Sequence, residues 1–442
     1  MHDLPRKLSL VDSIAIVIGT VIGGGIFLVP NLVARNLGSG ALIVAVWSFA
    51  GMVSFFGTLA CAELGAAFPA TGGQYVYLRD AYGPMVGFLC GWSMFTVARS
   101  AQVAWMAVIF ALYVSYFVPL GPVASKLLGV GVILVFSWIN YRGVRAGAGV
   151  QKSFTAAKIV GVLIIVVGAF VSRGGAPAAA APAVSATFSL SSFGVALIAC
   201  LLAYDGWVQL TFVAGEIRDP QKNVLRALAI GSVACIAIYL LANFAYLRML
   251  SIPEIAASDH VGATAAERIL GAWGGKFVSA IILVSILGTL NGCFLTTPRV
   301  YFAQAADGLF FRRFTDIHPR FQTPSFAIVA QGVWAVVLVI TGSYETLVDY
   351  ALFAMWISYG LMVAAVMILR KTRPDVQRPY RMWGYPVTPL LFLGITGWFL
   401  VNMLMTRPGP SLVSLALIAT GVPAYFIWKE RPRAAHAVPT RS

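Results

Sequence analysis

The sequence predicts an all-α polytopic membrane protein: two five-span blocks, inverted relative to each other, with two additional C-terminal spans. Three observations predict it. Of the 442 residues, 59% are hydrophobic and only 11% charged, with a mean hydropathy of +0.85. A soluble domain carries roughly 25% charged residues, so this chain cannot cover a water-facing surface. The apolar residues are gathered into runs of about twenty, the length that crosses a bilayer. The first and sixth of these runs are interrupted near their centres. A soluble enzyme and a disordered chain are excluded by the same figures.

The runs predict twelve spans, at 13–35, 41–66, 84–117, 126–140, 154–172, 190–214, 227–248, 275–303, 324–342, 347–369, 386–405 and 410–428. The fourth is short for a bilayer, and the third, at 34 residues, is expected to tilt or to extend beyond the lipid. Residues 251–271 are too polar to span and predict a short surface helical element. The Ala/Pro/Gly-rich stretch from 174 to 186 reads as a flexible loop. Met1 to Leu10 is short and mixed, without the pattern of a cleavable signal peptide, and the tail after Trp428 is basic and Pro/Ala-rich.

An even number of spans puts both termini on one side. Of the 31 Lys and Arg residues, 22 fall on the side of the termini and 7 opposite, while Arg99 and Lys158 lie within spans. Basic residues mark the cytoplasmic side, so both termini are expected there. The same asymmetry accounts for the net charge of +15 without nucleic acid. The five cysteines sit in apolar runs without metal-ligand spacing, and none of the four histidines lies inside a span. No metal or cofactor is expected.

The segment Gly19-Thr20-Val21-Ile22-Gly23-Gly24-Gly25-Ile26-Phe27 places three consecutive glycines in the middle of span 1. Such a run either breaks the helix where it lines a cavity or lets two helices pack closely. A broken helix presents N–H groups that favour a carboxylate and carbonyls that favour an ammonium. Span 6 has a second irregular centre, Ala203-Tyr204-Asp205-Gly206-Trp207. Asp205 has three open roles: binding an ammonium directly, capping the break, or sitting near one rim. Trp207 either packs between helices or walls a pocket. Breaks at matching places in spans 1–5 and 6–10 are the sign of an inverted-repeat transporter, and an odd block of five inverts its successor. The expected organisation is an N-terminal segment 1–12, a first repeat 13–172, an extracellular loop 173–189, a second repeat 190–369, a cytoplasmic loop 370–385, spans 11 and 12 within 386–428, and a tail 429–442.

These residues resemble the amino acid–polyamine–organocation superfamily, in particular bacterial relatives of the L-type amino acid transporters. Gly23-Gly24-Gly25-Ile26-Phe27 is similar to the family's break in span 1, and the segment from Glu63 to Arg79 to its signature after span 2. Arg99-Ser100-Ala101-Gln102 loosely resembles an Arg-Pro-Ser-Ser-Gln motif, lacking the proline and one residue. Phe154 to Lys158, Tyr204 to Trp207, Gly215 to Pro220, Gly288 to Gly292 and Pro298-Arg299 extend the likeness over residues 9–430.

The resemblance implies a leucine-transporter-like fold and substrate contacts at Thr20, Val21, Ile22, Gly23, Gly24, Gly25, Ala203, Tyr204, Asp205 and Trp207. Amides of Ile22 to Gly25 would hold an α-carboxylate. Carbonyls near Thr20 to Ile22 and of Ala203 to Asp205 would hold an α-ammonium, with Trp207 as an outer gate. Lys158, read alone, either snorkels or is paired. The resemblance places it between spans 1 and 8, where sodium-driven relatives hold sodium, with Thr289 and Asn291 as possible polar neighbours or as interhelical hydrogen-bonding groups. The implied function is sodium-independent exchange of neutral amino acids; a proton-coupled symporter is the alternative, and a channel or membrane-embedded enzyme is the remaining class. The 118–125 loop lacks the cysteine through which animal members join a glycoprotein subunit, so none is expected.

Overall fold

The computed structural model describes residues 4–172 and 189–429. The tail after 429, nearly all of the loop expected at 173–189, and residues 1–3 lie outside the described residues. Among the described residues, ten helices are long and apolar enough to cross a membrane: spans 1 (Leu10–Leu37), 2 (Gly40–Ala67), 3 (Pro84–Val114), 4 (Pro122–Tyr141), 5 (Val144–Val171), 7 (Pro220–Met249), 8 (Trp273–Ala306), 10 (Thr346–Thr372), 11 (Val387–Thr406) and 12 (Pro408–Lys429). Two shorter apolar helices stand at the sixth and ninth places, Leu190–Ala203 and Ser325–Thr341. The order is the one expected from hydropathy.

Several boundaries differ. Spans 4 and 5 start at Pro122 and Val144, earlier than 126 and 154, so Arg145 and Lys152 belong to a helix rather than to a loop. Backbone hydrogen bonding carries a helix past the apolar stretch, which hydropathy alone cannot show. Residues 251–271 form two helices, Ile252–Ala257 and Val261–Leu270. The second is not a surface element: Val261, Ala265 and Ala266 are buried. A Cβ at Gly262 would lie 2.8 Å from the Phe27 ring, so the helix sits directly on span 1.

Helix starts follow local rules. Span 1 opens with a capping box between Ser9 and Asp12. Spans 3, 4, 7 and 12 open on a proline, whose missing N–H costs nothing in the first turn. Spans 1, 3, 8 and 10 are the interior bundle, with 72–83% of their apolar windows buried, whereas spans 4, 11 and 12 have 22–33% buried. The peripheral helices turn Leu134, Trp138, Leu390, Leu391 and Leu412 outward, as lipid contact requires.

Two spans are broken. Span 1 divides into 1a (Leu10–Val21) and 1b (Gly25–Leu37), and span 6 into 6a (Leu190–Ala203) and a short 6b (Gln209–Phe212). Half 1b packs on 6a and half 1a on 6b, which brings the two breaks together inside the bundle. Span 3 carries a π-helical turn at Met94–Ala98. Its extra residue rotates the helix that follows, beginning at Arg99.

Candidate substrate site

The breaks interlock through atoms that leave no room for side chains. Gly206 has φ +128, and a Cβ there would lie 2.6 Å from the Thr20 carbonyl oxygen. Thr20 Oγ1 in turn donates to the Gly206 carbonyl at 3.1 Å. A Cβ on Gly25 would meet Ala203 Cβ at 2.8 Å. The amides of Gly24, the N-cap of 1b, and of Gly25 and Ile26 in its first turn have no intrahelical carbonyl to meet. This end of the dipole favours an anion.

A cavity of about 70 Å³ opens at the crossing. Thr20, Val21 and the Gly23–Gly25 run line it from span 1, Leu202, Ala203 and Asp205 from span 6. Gln102, Trp105, Met106 and Ile109 of span 3, Leu28 and Val29 of 1b, and Thr289 of span 8 complete the wall. Most of that wall is apolar, and its polar groups gather at the breaks.

Lys158 is fully buried on span 5 and does not snorkel. Its Nζ donates to the carbonyls of Gly19 at 2.9 Å, Ile22 at 2.5 Å and Ser285 at 3.2 Å. Thr289 Oγ1 donates to the same Gly19 carbonyl at 3.1 Å, and Ser285 Oγ to those of Ile22 and Gly23 at 3.0 Å each. One ammonium thus fastens the break of span 1 to spans 5 and 8.

Asp205 lines the cavity, and its carboxylate is engaged by side chains of spans 3 and 10. Arg99, buried on span 3, sends Nη1 to Asp205 Oδ2 at 3.3 Å and Nη2 to the Tyr359 hydroxyl at 2.8 Å. Tyr359 donates to Asp205 Oδ1, and Gln102 Nε2 donates to Oδ2 at 3.3 Å. The carboxylate joins spans 3, 6 and 10 as one half of a buried ion pair.

Other expected site residues lie elsewhere. Trp207 follows the Gly206 turn and is outside the described lining of the cavity; its ring seats on Gly57, where a Cβ would lie 2.6 Å away, beside Tyr359 at 5.1 Å between ring centroids. The missing side chain at Gly57 makes that seat, and in this structure the ring packs between spans 2, 6, 10 and 11. Tyr204 packs on Trp47 and Tyr239, and Ile22 is fully buried. Asn291 does not reach Lys158. It donates to the Gly147 carbonyl at 2.9 Å and to Gln151 at 2.8 Å, and accepts from Asn140 at 3.0 Å. Two residues from Thr289, it faces another side of the helix. Two of the carbonyls expected to meet an ammonium, those of Val21 and Ala203, accept from the Tyr239 hydroxyl at 2.9 and 3.0 Å. Each keeps a second lone pair.

Ser285 was hidden from sequence reasoning, although its four-residue spacing from Thr289 in an apolar span was the available signal. Leu202, an aliphatic residue in an aliphatic run, offers no such signal. Trp207→Ala is expected to lower stability by about 3–5 kcal/mol while leaving the ratio of alanine to leucine binding unchanged. Thermal unfolding in detergent with paired competition titrations checks this; a shifted ratio would put the ring against the substrate. Among the described residues no group of three His, Cys, Asp or Glu side chains could hold a metal ion.

Comparison with known proteins places the site in context. The family described as amino acid permease matches residues 8–427. The serine/threonine exchanger SteT of Bacillus subtilis is 33% identical, across 97% of this chain and 98% of its own length. The human b(0,+)-type amino acid transporter 1 is 31% identical, across 96% and 88%. The human large neutral amino acids transporter small subunit 2 is 32% identical, across 97% and 82%.

Proposed function

Since the chain belongs to the amino acid permease family, we propose that it is a sodium-independent exchanger of neutral L-amino acids working by alternating access. The carrying observation is the Lys158 ammonium set among the carbonyls of Gly19, Ile22 and Ser285 beside a cavity at two broken helices. A cation fixed to the chain supplies there the charge that a dissolved sodium ion would otherwise bring. The amides opening 1b hold the α-carboxylate, and free carbonyl lone pairs at the two breaks, near Thr20 to Ile22 and Ala203 to Asp205, hold the α-ammonium. The apolar wall of Leu202, Trp105, Met106 and Ile109 receives the side chain, so the charged ends are read by backbone and the side chain by size. Two five-span repeats, 13–172 and 190–369, rock about this point, with spans 11 and 12 outside them.

The excess of Lys and Arg on the side of the termini, 22 against 7, supports cytoplasmic termini. The bacterial relative SteT supports a bacterial inner membrane. The loop from 118 to 125 has no cysteine, which supports action without a disulfide-linked subunit.

Counterflow in proteoliposomes of the purified single chain tests the proposal. Radiolabelled alanine, serine or leucine is expected to enter vesicles preloaded with amino acid at the same rate in choline as in sodium. A strict sodium requirement would overturn the coupling assignment. Accumulation driven by a proton gradient into vesicles free of amino acid would establish symport instead.

A further inference from the structure

Asp205 is the one acidic side chain among the described residues lining the cavity. It is the group a cationic substrate side chain would need. Its charge, however, is already matched. Arg99 lies behind the wall with no exposed surface, and its Nη1 reaches both Asp205 Oδ2 at 3.3 Å and Gln102 Oε1 at 2.7 Å. Its Nη2 bonds Tyr359, which passes its own proton to the other carboxylate oxygen. Gln102, also on the wall, donates to Oδ2. Both carboxylate oxygens are therefore engaged, and the charges of Arg99 and Asp205 cancel.

We propose that Arg99 sets the charge preference of the site: by neutralising Asp205 on the cavity wall, it reserves the cavity for amino acids with uncharged side chains. The inference rests on the exchanger reading above and adds the residue that decides substrate class. A lysine or arginine substrate would bring a second positive charge against a completed pair, with the buried Lys158 ammonium of span 5 already bonded to the Gly19 and Ile22 carbonyls of span 1. Such an uncompensated buried charge is strongly disfavoured. Without Arg99 the carboxylate would stand unpaired on the wall, and the substrate's own cation would be its natural partner. Arg99 acts through Asp205 and is a positioning residue, and selectivity here comes from a repulsive element as much as from an attractive one.

The test uses competition for alanine exchange by lysine and arginine in proteoliposomes of the full chain. The parent is expected to be inhibited by alanine and serine and far more weakly by the cationic amino acids. In Arg99→Gln the ratio of lysine to alanine inhibition constants is expected to fall by about 10-fold or more, the scale of one unpaired buried polar contact. Arg99→Gln/Asp205→Asn, which carries neither charge, is expected to restore the parental ratio, and Arg99→Lys to retain it. A merely structural role would weaken all substrates alike and leave the ratio in place. Should Arg99→Gln fail to insert, Gln102→Glu adds a second carboxylate with Arg99 still present and is expected to move the ratio in the same direction. An unchanged ratio in Arg99→Gln, or in Gln102→Glu where Arg99→Gln does not insert, overturns the inference, as does a parent in which lysine competes as well as alanine. A parent that exchanges no amino acid overturns the exchanger reading and this inference together. Neutral exchange with an unmoved ratio overturns this inference alone.

Discussion

Lys158→Ala is expected to reduce exchange roughly 100-fold or more while the protein still inserts, because removing one partner of a buried charged cluster costs about 3–5 kcal/mol. The lysine bonds at once to span 1 and span 8 from span 5. Alanine leaves the carbonyls of Gly19 and Ile22 facing an apolar void, with only the Ser285 and Thr289 hydroxyls still donating to them. The break then loses its fixed geometry, and the amides of 1b lose their aim. Lys158→Met keeps most of the stem and removes the charge, so it separates packing from electrostatics. If charge is the cause, methionine fails as badly as alanine; if stem packing is the cause, methionine recovers most of the rate. Initial counterflow rates normalised to inserted protein decide between them. Near-parental exchange by the methionine variant would show that the ammonium is dispensable.

The number and order of spans were legible because the bilayer sets one length, and the chain meets it with uninterrupted apolar runs. The breaks were legible for the opposite reason: Gly23 to Gly25 and Asp205-Gly206 are residues that a lipid-embedded helix does not carry without cause. What could not be read was direction. Whether Trp207 faces the substrate or Gly57 depends on the turn at Gly206, and whether Asn291 or Ser285 meets Lys158 depends on the rotation of span 8. The pairing of Arg99 with Asp205 joins residues 106 apart in sequence through a π turn that no periodicity announces. Loop boundaries near Lys152 failed on another ground, since a helix continues in water by hydrogen bonding after its apolar stretch ends. Its Nζ pairs with Asp12 at 2.8 Å, an ion pair between spans 1 and 5 invisible to hydropathy.

Gly25→Val is expected to lower substrate affinity by roughly 30- to 100-fold, equivalent to about 2–3 kcal/mol of overpacking. The three glycines of the break look alike in sequence, yet their surroundings differ. A Cβ at Gly24 would lie 3.6 Å from Leu28 and 3.8 Å from Ile286, ordinary contact distances, and the φ of −75 there suits any residue. At Gly23 the nearest atom would be Thr289 Oγ1 at 3.3 Å, a side chain with some freedom to yield. At Gly25 the added carbon would lie 2.8 Å from Ala203 Cβ and 2.9 Å from its Cα, which is backbone and cannot swing aside. The whole of 1b must then shift away from 6a, carrying the carboxylate-binding amides with it. Gly24→Val, at the middle of the glycine run, is expected to cost at least about 5-fold less than Gly25→Val. The compensating change is on the facing helix: Ala203→Gly removes the obstructing Cβ but leaves the Cα at 2.9 Å, so it should recover only part of the loss. Alanine binding measured by ligand-induced thermal stabilisation on the purified variants, with insertion checked by monodisperse elution, reads all three. Equal losses at positions 24 and 25 would mean that the break tolerates no added carbon anywhere, and that the contact with Ala203 does not set its position.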